Sequence, residues 1–458
     1  MQNKNLVNKL FKEVIYPGNC MHCGLCEGLT KNLFKMKETR FGPIPELIRN
    51  SNKNDTDDLK KIVIACPGRG VPYNFLSNQR KYEKKNNIIG NFNNIFIASS
   101  KKKIIRKNSS SGGIVRTILI ELLKKNIIDY AYILNNKKNK VLKFDPTITK
   151  SEFKIKNLSQ SIYVTTPLLQ KINKLNKNKR YCFVGLPEHI AALRILKFKF
   201  PEQFKHIKLL IGIYAGTNMY PGAINYFLSG NKVKNVNSIK KINWRYGEWP
   251  GKLRILTKDN QEFTLKKFYY NYLIPFFISK NCLMTPDLTC ELSDISIGDA
   301  WSPKLEKKGH GYSVVISRSK YFDKLLNNLR LKNNISLNKI KLIDCINMHA
   351  HMLEFKKIGS YLRLKSLKKK GPIPNYDLKP LNVSFIRQII ELMIGFIINF
   401  CSIKIVQRIF LAFNPKILGY IFEFLRTIWK KFSKTTKRKG LNNLKFSKLT
   451  NKRLEELK

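Results

Sequence analysis

The chain has 458 residues, of which 43% are hydrophobic, so it is long enough to bury a core and too apolar for wholesale disorder. It carries 86 Lys plus Arg against 30 Asp plus Glu, a formal net charge of +56. Because the basic residues are spread along the whole chain without a helix-turn-helix, zinc-finger or RNA-binding aromatic signature, we interpret them as solvated surface and rank a nucleic-acid partner last.

The first predicted segment, residues 1–88, holds four of the nine cysteines and ends in a charged run. Cys20, Cys23 and Cys26 have the spacing C-x2-C-x2-C, by which one loop surrounds three corners of a 4Fe-4S cluster. Cys66, followed by Pro67, is the predicted remote fourth ligand. A zinc site built from the same thiolates is the alternative. Free thiols without a secretory-signal pattern indicate a cytoplasmic location.

The second predicted segment, residues 89–380, alternates strand and helix patterns and therefore predicts an α/β, or mixed α+β, core. Its strands include IFIAS, DYAYIL, RYCFVG and KLLIGI, and a hairpin is predicted around Asp259-Asn260. The loop from Asn108 to Gly113 lies between a strand and an amphipathic helix. Backbone N–H groups at the positive end of such a helix suit a pyrophosphate, although ordinary helix capping is the alternative.

The third predicted segment, residues 381–458, is a basic tail of amphipathic helices. Lys404 and Arg408 interrupt its first apolar stretch, which leaves fewer than the roughly 20 apolar residues that cross a bilayer. An anionic membrane surface is one candidate for its apolar faces, and packing onto the protein's own core or a partner is the other. Because every motif precedes Pro380, truncation after that residue is expected to leave the cofactors bound. A basic run follows the apolar stretches of the tail and consists of Lys430, Lys431, Lys434, Lys437, Arg438 and Lys439.

The motifs occur in a characteristic order. SGGIVRTILIELL is followed by VGLPEHIAALR, then by WPG, then by ELSDISIGDAW. Together with the N-terminal cysteines they resemble the beta-subunit family of coenzyme F420 (deazaflavin) hydrogenases and dehydrogenases, over about Cys20 to Pro380. That family also includes 7-hydroxymethyl chlorophyll a reductase and a divinyl-chlorophyllide vinyl reductase.

The resemblance implies a noncovalent FAD that exchanges electrons with one or more 4Fe-4S clusters, here a ferredoxin-like segment on a flavin-binding core. The four N-terminal cysteines match the cluster ligands. The residues that match the cofactor side of the core are Ser111, Gly112 and Gly113 in the phosphate loop, Gly185 and Pro187 in a second loop, and Asp294, Gly298 and Asp299 in an acidic turn.

Two departures from the family pattern concern a second cluster. Glu188 follows Pro187 where relatives usually have cysteine, and Thr285 replaces the second cysteine of a C-x2-C that begins at Cys282. Cys290 lies nearby as a substitute ligand. Cys282 and Cys290 are therefore candidate metal ligands, but two thiolates do not obviously complete a second cubane.

The expected function is an FAD-dependent reductase that receives electrons from ferredoxin or another carrier and acts on a small organic substrate. A deazaflavin-coenzyme oxidoreductase within a larger complex is one alternative. A binding protein that retains the fold without turnover is another. No residue stands out as a catalytic proton donor, and His189 is the nearest candidate by motif position.

Overall fold

The computed structural model describes residues 2–137, 140–233, 236–267, 269–439, 441 and 444–458. The strands are β1 (Phe34–Thr39), β2 (Gly42–Leu47), β3 (Asn94–Ser100), β4 (Tyr130–Lys137), β5 (Lys140–Thr149), β6 (Tyr181–Gly185), β7 (Ile207–Ile213), β8 (Ile239–Tyr246), β9 (Lys252–Thr257), β10 (Glu262–Lys266), β11 (Ile295–Asp299), β12 (Ser313–Ser317), β13 (Ile335–Lys339), β14 (Leu378–Pro380) and β15 (Phe446–Lys448). The predicted mixed α/β architecture is confirmed.

An eight-stranded sheet in the order β13-β3-β12-β11-β7-β6-β4-β5 forms the centre of the molecule. Its middle strands β11, β7, β6 and β4 are parallel, and β12, β3, β13 and β5 pair antiparallel. Strand β3 runs in the same direction as β11, because β12 is antiparallel to both. The carboxyl ends of β3, β4, β6, β7 and β11 therefore share one edge of the sheet. In open α/β sheets ligands bind outside this edge.

Helices cover both faces of this sheet, and the predicted order of strands and helices in the core is confirmed. Strand β6 is buried along most of its length, as the apolar run YCFVG predicts for a central parallel strand. The core helices are Lys103–Lys107, Ile114–Lys124, Glu152–Lys156, Pro187–Lys199, Pro201–Phe204, Gly222–Gly230, Leu273–Phe277, Lys280–Met284, Pro303–Glu306, Lys320–Leu331, Leu342–Glu354 and Ser360–Lys368, with a π-helical turn at Phe355–Gly359 and 3-10 turns at Leu168–Lys174, Val236–Ser238 and Tyr270–Tyr272.

A separate three-stranded antiparallel sheet, β10-β9-β8, lies beside the core. Asn260 has a φ of +62°, a left-handed conformation that asparagine tolerates well in a hairpin turn. The predicted hairpin around Asp259-Asn260 is confirmed.

The N-terminal segment contains one two-stranded sheet, β1-β2, among the described residues. Its likeness to a ferredoxin therefore rests on the cysteine loop and not on a whole ferredoxin fold. Its helices are Gln2–Leu10, Leu25–Leu29, Thr56–Ala65 and Tyr73–Asn78, with a π-helical turn at Phe11–Ile15 and 3-10 turns at Lys53–Asp55 and Pro67–Arg69.

The C-terminal segment is helical as predicted, but it is not an appendage. Strand β15 pairs with β14, and the last helix, Lys452–Leu457, contacts the cysteine segment. The helices of this segment are Phe385–Ser402, Lys404–Leu411, Pro415–Lys439 and Lys452–Leu457. The division at residues 88 and 380 stays a prediction. Of the predicted basic run, the side chains of Lys434, Lys437, Arg438 and Lys439 lie outside those that the structure describes.

One helix among the described residues, Phe385–Ser402, is long and apolar enough by length and composition to cross a membrane. Only 22% of it is buried. We expected Lys404 and Arg408 to interrupt the first apolar stretch of the tail. Instead, Ile403 ends this helix in an extended conformation, and a new helix, which contains both basic residues, begins at Lys404.

Candidate cofactor and redox site

A cavity of about 850 Å³ lies at the carboxyl edge of the sheet. Its walls come from the loops that follow β3, β6, β7 and β11, from residues 158–166, and from two helices of the C-terminal segment. This volume is in the range of pockets that bind cofactor-sized ligands. The sheet edge therefore presents one large cavity at the place where this fold type binds ligands.

One end of the cavity is polar. Ser109, Ser110, Ser111 and Gly113 line it together with Arg116, one turn into the helix Ile114–Lys124. The Arg116 guanidinium is buried and donates to the carbonyls of Lys156 and Leu158, each at 2.8 Å. Burial lowers the pKa of Arg116 to about 10. A cation that has only carbonyl partners here, next to a helix N-terminus, favours an anion in this end of the cavity.

The two glycines of the predicted phosphate loop have different surroundings. Gly113 lines the cavity at a φ of +76° and precedes the helix. Gly112 instead packs against the sheet, where a Cβ would lie 2.5 Å from the Ala98 carbonyl oxygen. Its N–H donates to Ser313 Oγ at 3.1 Å, and Ser111 Oγ donates to the Tyr312 carbonyl at 2.7 Å. Gly112 therefore holds the loop on the sheet, and its contact with a phosphate stays a prediction.

The loop after β6 forms another part of the cavity wall. Gly185 and His189 line the cavity, and Pro187 occupies the first turn of the helix Pro187–Lys199. The backbone N–H of Leu186 donates to His189 Nδ1 at 3.2 Å, so the neutral imidazole carries its proton on Nε2. Burial lowers the pKa of His189 to about 3, which keeps the ring neutral. His189 is therefore a neutral hydrogen-bond donor at the cavity wall.

The acidic turn after β11 also reaches the cavity, through Gly298 and Asp299. Asp299 accepts a hydrogen bond of 2.8 Å from Arg245, whose guanidinium is buried. Its backbone carbonyl accepts from His349 Nε2, also at 2.8 Å. A Cβ on Gly298 would lie 2.4 Å from the Tyr214 ring, so glycine permits this close approach. Asp299 is thus held in a fixed orientation at the cavity.

Asp294, which the resemblance assigns to the same turn, lies at the opposite end of β11. Its Oδ1 accepts from Arg80 and Arg194, each at 2.7 Å, and its Oδ2 accepts from the backbone of Leu210 at 2.9 Å. Burial alone would raise the pKa of Asp294, but the two guanidiniums outweigh burial and hold the pKa below its usual value. Asp294 stabilises the sheet and does not line the cavity.

The four N-terminal cysteines lie near one another. Burial raises the pKa of the Cys20 thiol to about 12 and raises those of Cys23 and Cys26 well above their ordinary value, and the proximity of Cys66 adds to all three shifts. Backbone N–H groups approach the sulfurs, among them that of His22 at 3.4 Å from Cys20 Sγ. Similar backbone contacts reach Cys23 and Cys66. Such N–H groups stabilise thiolates that are bound to a cluster.

The conformation of the cysteine loop depends on Gly24, which has a φ of +84°. A Cβ at this position would lie 2.8 Å from the Pro167 carbonyl oxygen, so only glycine fits. The Leu169 N–H donates to the Cys23 carbonyl at 2.8 Å. The loop is therefore attached directly to the segment that follows the cavity-lining residues 158–166.

The cysteine loop also borders the cavity. Met21 and His22, which lie between Cys20 and Cys23, are part of its lining. His22 is buried, and its Nδ1 lies 2.9 Å from the carbonyl oxygen of Pro43. Nothing in the sequence separation of the cysteines from the Ser109–Gly113 loop indicates this proximity. The fold brings the two motifs to one cavity.

Cys282 and Cys290 are both buried and lie apart from the N-terminal loop in sequence. Cys282 Sγ accepts from the backbone N–H of Asn218 at 3.0 Å, and Cys290 has a φ of +58°. The Lys356 ammonium donates to the Cys282 carbonyl at 2.8 Å. Among the residues that the structure describes, no three His, Cys, Asp or Glu side chains are grouped tightly enough to hold a single metal ion.

Three features of this site were not predicted from the sequence. Arg116 could have been found, because it lies one turn after Gly113 on the same helix. Glu188 lines the cavity, and burial raises its pKa to about 7 while nearby Lys356 opposes the shift. The third feature is the contribution of the C-terminal helices, which carries no sequence signal. The other cysteines, Cys182, Cys345 and Cys401, are also buried.

Fold and site together define a mixed α/β protein whose parallel sheet edge carries a large cavity bordered by a loop with three cysteines. The N-terminal part of the family described as coenzyme F420 hydrogenase/dehydrogenase, beta subunit, matches residues 95–173, and its C-terminal part matches residues 178–342. Together these matches cover just over half of the chain. The chain belongs to this family, and it is therefore an oxidoreductase.

A solved structure with the same fold comes from the F420-reducing NiFe hydrogenase complex of Methanosarcina barkeri. It is 16% identical to this chain, with a TM-score of 0.51, and the similarity covers 64% of this chain and 99% of the other. At this identity the likeness concerns the fold. No curated protein matches the chain.

Proposed function

We propose that the protein is an iron–sulfur flavoprotein that transfers electrons between a 4Fe-4S cluster, held by Cys20, Cys23, Cys26 and Cys66, and an organic substrate through FAD. The observation that carries this proposal is one cavity lined both by the Ser109–Gly113 loop and by Met21 and His22 of the cysteine loop. A flavin exchanges two electrons with an organic substrate and single electrons with an iron–sulfur cluster.

The residues at the polar end of the cavity fit the diphosphate of FAD. The N-terminus of Ile114–Lys124 supplies N–H groups and a partial positive charge, and Arg116 supplies a full one. Gln160 Oε1 and Thr165 Oγ1 are buried, have no hydrogen-bond partner and belong to cavity-lining residues. Unpaired buried polar atoms are costly, so these two groups support a ligand with polar atoms in the cavity. Gln160 Oε1 is an acceptor and requires a donor group of that ligand and not its diphosphate.

The donor set at the cysteine loop favours a cluster over the zinc alternative. Zinc sites usually take their thiolates from two C-x2-C pairs, whereas Cys20, Cys23 and Cys26 form one overlapping triplet and Cys66 is remote in sequence. Cys282 and Cys290 are left out of the proposed cluster, because Glu188 and Thr285 replace the thiols that would complete a second set.

The cofactor content tests this proposal directly. Protein purified without oxygen should show a flavin spectrum above a broad iron–sulfur absorbance, with one FAD and four irons per chain. Zinc at one per chain, with no iron, would contradict the cluster. A folded protein with neither cofactor would support the non-catalytic binding alternative.

The identity of the carrier that reduces the flavin distinguishes the two candidate enzymatic functions. Membership of the family favours a deazaflavin-coenzyme oxidoreductase as the second candidate. Reduction of the bound flavin by reduced ferredoxin, but not by reduced coenzyme F420, would support the preferred function. The opposite result would support the second candidate, and in that case a partner subunit should be sought.

We also propose that the C-terminal segment attaches the protein to an anionic membrane surface. The helix Phe385–Ser402 has two charged residues, Arg387 and Glu391, and both are buried, so its exposed face is apolar or neutral. A surface helix of a soluble protein shows the opposite arrangement. The apolar side chains exposed on the three tail helices include Phe385, Ile386, Leu392, Met393, Phe396, Ile405, Ile409, Tyr420 and Phe424.

The charges beside this apolar face fit anionic headgroups. Lys404, Arg408, Lys416 and Lys431 are exposed, and no acidic side chain is exposed among the described residues of 381–431. Each basic residue at an anionic surface contributes about 1 kcal/mol.

Full-length protein should therefore sediment with phosphatidylglycerol vesicles and not with phosphatidylcholine vesicles. Lys404→Gln with Arg408→Gln should weaken attachment roughly 30-fold, whereas Lys320→Gln with Lys324→Gln should not.

A further inference from the structure

The tail helices that expose this apolar face also form a wall of the cavity. Ile394, Ile397 and Ile398, on the inner side of Phe385–Ser402, line the cavity. Phe422, Leu425 and Trp429 line it from the helix Pro415–Lys439. Two helices thus separate the cavity from the surface that we assign to the bilayer.

Core residues beside these helices line the same part of the cavity and are mostly apolar. Ile274, Pro275 and Ile278 come from the core, and Met352 and Phe355 come from the end of Leu342–Glu354 and the π-helical turn after it. These side chains pack around Ile394, Ile398 and Trp429, and Arg426 and Lys430 also line the cavity from Pro415–Lys439. This end contrasts with the polar end at Ser109–Arg116. A ligand that fills the apolar end exchanges water for aliphatic and aromatic side chains, which is favourable only for an apolar group.

One polar atom in the apolar end has no protein partner. The indole Nε1 of Trp429 is buried and makes no hydrogen bond with any described residue. The ring itself is held by His351 and Phe355, at centroid distances of 5.4 and 6.2 Å. An unpaired indole donor among apolar side chains suits a ligand that is mostly apolar and carries an acceptor such as a carbonyl or carboxylate oxygen.

We propose that the substrate is a lipid-soluble amphiphile, with an apolar chain or ring system and an oxygen acceptor, that reaches the cavity from the bilayer between the two tail helices. This inference rests on the proposed function, since it names the substrate class of the same cavity. A water-soluble substrate would need neither an apolar wall made by the tail nor an apolar outer face on the same helices. The arrangement serves a molecule that is dissolved in the membrane.

Quenching of Trp429 by a brominated fatty acid tests the inference. Full-length protein with its cofactors is titrated with dibrominated stearate in the absence of vesicles, and the intrinsic tryptophan fluorescence is followed. We expect saturable quenching that Trp429→Phe reduces, with the remainder due to Trp301, which also lines the cavity. Absence of saturable quenching, or quenching of the same extent in Trp429→Phe, would overturn the inference.

A matched pair of variants on one helix locates the binding. Ile398→Gln places a polar group in the inner wall and should raise the Kd for stearate roughly tenfold. Phe396→Gln makes the same change on the outer face, where the side chain is 71% exposed, and should leave this Kd within about twofold. Ile394→Gln replaces Ile398→Gln if the latter does not fold. Equal effects of inner and outer variants would indicate surface binding and contradict the inference.

The flavin content of the same samples separates the two proposals. Saturable Trp429 quenching in a protein without FAD would contradict the proposed function and leave the lipid-binding cavity supported. An FAD-loaded protein that shows no quenching would leave the proposed function supported and remove the lipid-soluble substrate.

Discussion

The Arg69 guanidinium donates two hydrogen bonds of 2.7 Å to the two carboxylate oxygens of Glu456. Arg69 is three residues after the predicted ligand Cys66, whereas Glu456 lies in the last helix of the chain. Arg453 of the same helix donates to the Gly70 carbonyl at 3.1 Å. The C-terminus therefore stabilises the loop that carries the fourth cysteine.

Replacement of Glu456 should lower the stability of the protein, because this loop loses an ion pair to the C-terminal helix. Burial alone would raise the pKa of Glu456, but Arg69 and Lys9 outweigh burial and lower the pKa to about 2. The ion pair therefore stabilises the fold above about pH 4, and this stabilisation is lost as the pH falls toward 2. Glu456→Gln should reduce the free energy of unfolding at pH 7 by roughly 1–2 kcal/mol, after allowance for solvent screening. Glu455→Gln, at the exposed neighbouring position, is the control.

Truncation after Pro380 should damage the protein, contrary to the expectation from motif positions. The cut removes Glu456, the partner of Arg69, together with the two helices that form one wall of the cavity, and it leaves Arg363 without Glu391. We expect the truncated protein to lose iron and FAD, as measured by metal analysis and released flavin. Full retention of both cofactors in a monomeric truncated protein would show that the tail is dispensable.

Cys23→Ser should abolish the broad iron–sulfur absorbance and most of the bound iron. A serine hydroxyl is a poor substitute for a thiolate ligand, and loss of one corner usually releases a cubane. Cys182→Ser is the matched control, because Cys182 is a buried thiol of β6 that lies away from the cysteine loop. Iron content should fall only in the first variant, and an equal fall in both would indicate general destabilisation.

Arg116→Met should weaken FAD binding roughly 10- to 100-fold, because a charge-assisted hydrogen bond to a phosphate is lost. Riboflavin, which has no phosphate, should bind wild type and variant equally. Arg330→Met, at an exposed position of the helix Lys320–Leu331, is the control. If riboflavin and FAD lose affinity to the same extent, Arg116 acts through folding and not through the diphosphate.

Glu188 should make stability fall as the pH rises. Burial raises its folded-state pKa to about 7, above the ordinary value of 4.5. Between these pH values the folded state holds a proton that the unfolded state has lost, so stability decreases by up to about 3 kcal/mol. Glu188→Gln should make the measured decrease smaller, as followed by anaerobic urea unfolding at pH 5 and pH 8. Burial also raises the pKa of Glu291 to about 7, so this residue should account for part of the decrease that remains. Exposed Glu202→Gln should keep the wild-type slope.

The sequence by itself determined the local elements of the protein. Strand and helix patterns identified the core because burial imposes their periodicity residue by residue, as in β6 and the helix Ile114–Lys124. The cysteine spacing and the hairpin at Asp259-Asn260 are likewise local. The motif order also indicated the family correctly, because it records the chain order of loops at one sheet edge.

Only the tertiary structure decided which of these elements meet. Met21 and the Ser109–Gly113 loop line one cavity because the cysteine loop is attached, through the Leu169 N–H bond to the Cys23 carbonyl, to the segment that follows the lining residues 158–166, and no local pattern encodes that proximity. Asp294 resembled a cofactor residue, yet its partners Arg80 and Arg194 are distant in sequence. Periodicity distinguishes an apolar helix from a polar one, but the side of a helix that faces a cavity or the solvent depends on contacts between residues far apart in the chain.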